Sequence, residues 1–338
     1  MRSIRRLCHS GLAGAGLKPA PTIVRPPKTP VTENATSAPT AAKPLTLAYA
    51  GMGVGILALG FSALFVRWAA APGAVTGFYR MAIASLILVP IALIRHGNPR
   101  QWPTSGLRYA ALGGAALCFD LALWNTAVLY TSAANATLLG NTAPLWVAIA
   151  GALFLKEKLS GRFWIGLALV LSGAAAVLGA DFLRGFHIGL GDLMAITAGV
   201  FYACYYLATQ AGRRHLASLP YVTAAGVVAT ALLLGIVLLM GLPLTGYAPQ
   251  TIAAFAGLGL VTQVLGYVSV GYALGHLPAS LVAPTMVGQP VMTALLAIPL
   301  LGETLMPVQW IGGAAVLVGI VLVHRSHRGT VPIGSPGL

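Results

Sequence analysis

Between Leu216 and Gly302 the chain has no Lys, Arg, Asp or Glu. From Arg214 to Glu303 the only imidazoles are His215 and His276. A water-soluble fold cannot cover its surface in this way, because charged side chains dominate exposed positions. In hydrocarbon the absence is required, since a charge at mid-depth costs roughly 2.5–3.5 kcal/mol even on the lenient insertion scale. Acids are scarce everywhere, with six Asp and Glu against 20 Lys and Arg. No two acids fall together at mid-membrane. Cysteine is almost missing too: Cys8, Cys118 and Cys204 have no CxxC or metal spacing, which excludes a disulfide framework and a metal centre. A phosphate-cradling Walker loop is absent, and with it ATP as a direct energy source. No HExxH and no Ser-His-Asp arrangement in polar surroundings is present, so no cofactor is expected. An intramembrane enzyme or a channel remains the alternative of a different class.

What is present is apolar. The 338 residues are 57% hydrophobic and 8% charged, with mean hydropathy +0.84. A net charge of +14 suggests nucleic acid in a soluble protein, but these bases sit between apolar blocks and form no stripe with aromatics. The chain is read as an all-α polytopic membrane protein. Residues 1–46 form a basic, proline-rich tail expected to be disordered; a start nearer Met52 is the competing reading. About 20 apolar residues make one crossing. Ten spans follow, near 47–66, 74–94, 107–129, 132–155, 162–180, 190–210, 220–240, 251–274, 279–301 and 308–323. Residues 324–338 are a second tail.

The bases set the expected orientation. One side holds seven in the N-terminal tail, then Arg95, Arg100 and Arg108, Lys156, Lys158 and Arg162, Arg213 and Arg214, and Arg325 and Arg328. The other side holds Arg67 and Arg184, and Arg80 lies within span 2. The positive-inside rule then puts both termini in the cytoplasm, and the expected location is a bacterial cytoplasmic (inner) membrane.

The stretch from Ala133 to Gly173 recurs 146 residues later. Pro144 matches Pro290, Glu157 matches Glu303, and Trp164-Ile165-Gly166 matches Trp310-Ile311-Gly312. Residues 47–180 and 190–323 are therefore two copies of a five-span unit. An odd number of spans inverts the second copy, giving ten transmembrane helices as two inverted five-helix repeats. Inverted repeats are a hallmark of secondary transporters that rock about a central site.

Several patterns carry a family resemblance. They are Phe78-Tyr79-Arg80 opening span 2, the run Asn135-Ala136-Thr137-Leu138-Leu139 through Pro144, the Glu157-Lys158-Leu159 exit, and Ala279-Ser280 through Pro290 with Gly302-Glu303-Thr304. With them the chain resembles the drug/metabolite transporter superfamily, in its EamA-like branch of ten-helix proteins. The stretch Asp120-Leu121-Ala122-Leu123-Trp124-Asn125 is similar to a subgroup that carries His where Asn125 stands. The resemblance implies movement of a small metabolite, commonly export of an amino acid or a similar polar or cationic solute. The expected partners are that solute and the lipid bilayer, with proton coupling and a homodimer left open, and no nucleic acid.

Asp120 is the one acid deep in a span, about 13 Å below the outer end at 1.5 Å per residue. An acid there is a functional candidate by default. It can line a solute site and carry a proton, form a structural pair with Arg80, or do both. Asn141 and Gln289 sit near mid-depth of spans 4 and 9, and Thr137 shares a helix face with Asn141. Pro144 and Pro290 break those helices at matched places, which marks either a binding site or a packing kink. Trp124, one turn after Asp120, offers a cation–π face or simple packing. Gln263 and Tyr267 in span 8 complete the expected solute-binding set. Phe201, Tyr202, Tyr205 and Tyr206 read as an interfacial belt with Trp68, Trp164 and Trp310. Glu157 and Glu303 read as structural or gating groups at the water boundary. Asp181, Asp192 and His187 read as solvated. Gly51, Gly55, Gly113, Gly166, Gly173 and Gly312 read as close-packing positions.

Overall fold

The computed structural model describes residues 42–131, 133–178, 189–302 and 304–327. Among the described residues ten helical crossings are long and apolar enough to span a bilayer. They are α1 (Ala42–Ala69), α2 (Gly73–His96), α3 (Thr104–Tyr130), α4 with α5 (Ala133–Gly140, Ala143–Leu153), α6 (Gly161–Leu178), α7 (Leu190–Gly212) and α8 (Ser218–Leu239). The eighth crossing joins α9 (Pro249–Gly257), a π-helical segment (Leu258–Tyr267) and α10 (Val268–Leu274). The ninth is α11 with α12 (Ala279–Met286, Gly288–Leu301), and the tenth is α13 (Pro307–Ser326). An even number of crossings leaves Ala42 and His327 on one face, called here the terminal face.

Helix ends follow local chemistry. Proline starts α9 and α13 and precedes α2, α3 and α11, where a missing N–H costs nothing. Gly97 and Gly302, at φ +69° and +67°, turn the chain after α2 and α12. Two ends differ from the expectation. The first crossing begins at Ala42, inside the expected tail, and α13 runs on to Ser326, carrying His324 and Arg325 into the helix.

The inverted arrangement is visible where α6 meets α13. Gly166 and Gly173 on α6 recur as Gly312 and Gly319 on α13. A Cβ on Gly166 would come within 2.9 Å of the Gly319 carbonyl oxygen, and one on Gly173 within 2.6 Å of the Gly312 carbonyl oxygen. The early glycine of each helix thus faces the late glycine of the other, so the helices run antiparallel. Contacts elsewhere obey the same exchange of halves. The third crossing packs on the sixth as the eighth packs on the first, and the third on the seventh as the eighth on the second. The second and seventh pack on each other, as the fifth and tenth do. Side chains such as Leu86, 77% exposed, point away from this bundle. In lipid that exposure is solvation.

The tyrosines of α7 correct the interfacial reading. Tyr205 and Tyr206 are each 1% exposed and belong to the central core with Tyr221. They form a packed cluster: Tyr202 lies 4.7 Å from Tyr206 between ring centroids, and Tyr205 lies 5.5 Å from Tyr267. Tyrosine suits a belt or a core equally by composition, so the difference rests on which way α7 turns. Trp164 and Trp310 are exposed, as a belt requires.

Candidate solute site

Breaks in the fourth and ninth crossings shape the site. Pro144 is the second residue of α5, and Pro290 the third of α12. Neither can donate the i→i−4 bond, so each helix restarts at its proline. Side chains take up carbonyls around the breaks: Asn141 Nδ2 donates to Thr137 O at 2.8 Å and Thr142 Oγ1 to Leu139 O at 2.6 Å. In the second half Thr285 Oγ1 donates to Leu281 O at 2.7 Å. At membrane depth such pairing is obligatory. Gly199 on α7 and Gly60 on α1 let those helices approach the two breaks.

Between the halves lies a cavity of about 450 Å³. Asp120, Trp124, Asn141, Gln289 and Tyr267 of the expected set line it, together with Arg80, Pro290 and Thr137. Ser62, Thr76, Asn125, Tyr202 and Thr293 line it as well. Its wall reaches Val66 and Arg67 at the end of α1, Thr76 near the start of α2, and Val177 and Leu178 at the end of α6. All of these ends lie at the face opposite the terminal face, so the cavity is confined to that half of the bundle. Below it lies a floor of buried residues. Every residue of α11 is buried, with Tyr205, Tyr206 and Leu274 beside it. Arg213, 8% exposed, stitches this floor together, its Nε donating to Gly271 O at 2.8 Å and its Nη1 to Leu216 O. Burial lowers the Arg213 guanidinium pKa to about 10, with the Tyr272 hydroxyl group opposing that effect, and it remains a cation at neutral pH.

Asp120 has no hydrogen-bond or ion-pair partner among the described residues. Arg80 and Asp120 do not make the expected direct ion pair, though the guanidinium is near enough to act on the carboxylate electrostatically. Arg80, 7% exposed, instead donates from Nε to Gln263 Oε1 at 3.0 Å and from Nη1 to Ser62 Oγ at 3.4 Å, and its Cζ lies 5.1 Å above the Tyr267 ring. Gln263 is therefore behind Arg80, 2% exposed, rather than on the cavity wall. The π-helical winding that carries Gln263 and Tyr267 has no simple composition signature, which is why the sequence reading missed this geometry. Trp124 lies against the break of the fourth crossing, its Cδ1 2.9 Å from where a Gly140 Cβ would sit. Asn125 Nδ2 donates to Gly73 O at 2.9 Å, tying α3 to the start of α2.

Other expected residues fall outside the cavity. Pro144 is buried beside the break. Glu157 lies past α5, its Oε2 3.1 Å from where a Gly151 Cβ would sit. Glu303, Asp181 and His187 lie outside the described residues. Asp192 is not merely solvated: it accepts from Gly189 N at 3.0 Å and from Thr131 Oγ1 at 2.7 Å, capping α7 and joining it to the end of α3. Ser62, Thr76 and Thr293 were missed because single hydroxyls in apolar runs ordinarily bond their own helix.

Two inverted five-crossing halves around a polar cavity at membrane depth are the build of a secondary membrane transporter. The chain belongs to the EamA-like transporter family, which matches it twice, over residues 45–179 and 189–325. It is an integral membrane protein of the drug/metabolite transporter superfamily and a transporter rather than an enzyme. It is 28% identical over 260 residues to an uncharacterized transporter of Archaeoglobus fulgidus, covering 74% of this chain and 87% of that one. It is 27% identical over 277 residues to a "probable terminal-alkyne amino-acid exporter" of Streptantibioticus cattleyicolor, covering 78% and 92%. A solved crystal structure aligns over 85% of this chain and 98% of its own with a TM-score of 0.73 at 18% identity, which speaks to the fold.

Proposed function

We propose that the chain exports a small amine-bearing metabolite, an amino acid or a similar polar or cationic solute, by alternating access. The observation that carries this is Asp120, an acid with no hydrogen bond or direct ion pair among the described residues, on the wall of a cavity enclosed at the terminal face. An unpaired carboxyl group inside a bilayer is costly, and an ammonium group of a solute would meet that cost. Asn141 and Gln289 supply hydrogen-bonding groups from the two breaks, and Trp124 a flat apolar wall. Asp120 is also the group that would exchange a proton when the solute leaves.

The two halves supply the motion. Arg213 ends α7 in the closed half, and Arg67, its counterpart 146 residues earlier, lines the cavity at the end of α1. Alternating access requires these two ends to exchange environments as one half rocks against the other. In this reading the terminal face, which carries most of the bases, is cytoplasmic, as the positive-inside rule favours. Residues 47–180 and 190–323 are the rocking units in this reading.

The test is flux from proteoliposomes loaded with mixed metabolites. At least one amine-bearing solute should leave chemically unaltered with the wild-type chain. Asp120→Asn should abolish that flux while the protein still inserts and keeps its melting temperature. Unchanged flux in Asp120→Asn removes Asp120 from the mechanism, and release of a chemically new compound removes the transport reading.

A further inference from the structure

We infer that Arg80 is the carboxylate-binding group of the cavity, positioned by Gln263 and Tyr267, so that the site selects a zwitterion over a simple amine. The inference rests on the reading of Asp120 as the amine-binding group.

A guanidinium inside a bilayer needs counter-charge. Among the described residues no carboxylate lies within ion-pair distance of Arg80: its direct contacts are an amide oxygen, a hydroxyl and an aromatic face, and Asp120 acts on it only across the cavity. It carries five N–H donors. Gln263 Oε1 takes the one on Nε and Ser62 Oγ one on Nη1. Three have no acceptor within hydrogen-bond distance, one on Nη1 and both on Nη2, and the end of the fork is built from these two nitrogens. That end matches the two oxygens of a carboxylate. Side-on approach across Nε is blocked because Gln263 already occupies it. Ser62 and Tyr267, which flank the guanidinium, line the same cavity as Asp120.

Gln263 is a positioning residue. It is absent from the wall and touches the solute only through Arg80. Four positions separate it from Tyr267 on the π-helical segment, and the two reach one guanidinium from its edge and its face. The result is a fixed cation and an unpaired acid on one wall system. A solute with a carboxylate and an ammonium satisfies both and adds no net charge. An amine alone satisfies Asp120 and is repelled by Arg80. A carboxylic acid alone meets the reverse mismatch.

The experiment uses the full chain in proteoliposomes. They are loaded with an equimolar mixture of the twenty common amino acids and the amines left by removing the α-carboxyl group of each. The wild-type chain should release at least one amino acid at least about tenfold faster than its amine. Gln263→Glu keeps the bond to Arg80 Nε but neutralises the guanidinium, and Arg80→Gln removes it. Both variants should erase the preference, slowing the amino acid and, with the repelling charge gone, speeding the amine. Arg80→Lys, which keeps the charge without the fork, should restore part of it. If Gln263 merely stabilises the fold, Gln263→Glu will keep the wild-type preference, and that result overturns the inference. Equal release of amines and amino acids by the wild-type chain also overturns it while leaving the transport reading intact. If neither class moves, the amine reading fails and takes this inference with it.

Discussion

Alanine at Gly173 probes the inverted build directly. The added Cβ would lie 2.6 Å from the Gly312 carbonyl oxygen and 2.8 Å from the Val316 amide nitrogen. Both are backbone atoms, so no rotamer change relieves the clash and α6 must part from α13. A radial gap of about 0.5–1 Å forfeits roughly a quarter to a half of each contact's attraction. Overpacking of this kind costs about 1–3 kcal/mol. Alanine at Gly312 meets the reciprocal contact, 2.7 Å from the Gly173 carbonyl oxygen. Once the helices have parted for one methyl, the second costs less. The pair Gly173→Ala with Gly312→Ala should therefore fall short of additivity by about 0.5–3 kcal/mol. Gly166→Ala with Gly319→Ala should do the same. The diagonal pairs, Gly173 with Gly319 and Gly166 with Gly312, are offset by seven residues, about 10 Å along the helix. They should add to within about 0.5 kcal/mol. The readout is unfolding in bicelles, followed by labelling of Cys118, a buried thiol, with Cys8 and Cys204 replaced by serine. Parallel halves would oppose Gly166 to Gly312 and reverse the ranking. Coupling in the diagonal pairs equal to or larger than in the opposed pairs refutes the inverted packing.

Two further outcomes follow from groups near the membrane faces. Arg213→Ala removes two charge-assisted bonds to Gly271 O and Leu216 O, each worth about 1.5–3 kcal/mol. A thiol reagent applied at the terminal face should then label Leu274→Cys faster, and Arg213→Lys should fall between; unchanged labelling would show that Arg213 does not hold the floor. Asp192→Ala removes the cap of α7 and the tie to Thr131. It should cost about 0.5–2 kcal/mol by the same unfolding assay, with Asp192→Asn recovering part; a loss below 0.3 kcal/mol would show the cap to be idle.

Much of the fold was legible because lipid restricts the options. A chain without charge over a long stretch must satisfy its backbone internally, and helices do so. Matched prolines and tryptophans 146 residues apart then disclosed the duplication, and an odd number of crossings disclosed its inversion. Asp120, Asn141, Trp124, Gln289 and Tyr267 could be named because a polar group deep in an apolar run stands out. Their wiring could not. Arg80 and Asp120 are the only opposite charges at that depth, so pairing them was the natural reading. The winding of the eighth crossing puts Gln263 on the guanidinium and leaves Asp120 beyond ion-pair distance. A π-helical turn differs from an α-helical one by the register of a hydrogen bond, and composition does not encode that register strongly. The tyrosines of α7 failed for a related reason. In a helix apolar on every side, periodicity does not separate the lipid face from the core face.

The most direct test of alternating access is reciprocal thiol labelling. Thr76→Cys lies on the cavity wall near the start of α2, and Ser280→Cys on buried α11 below it. Each is placed in a chain lacking Cys8, Cys118 and Cys204, in vesicles, with an amine-bearing solute the chain moves. During turnover labelling at position 76 should fall as labelling at position 280 from the opposite face rises. Simultaneous high reactivity at both positions, or no change at either during measured flux, contradicts it.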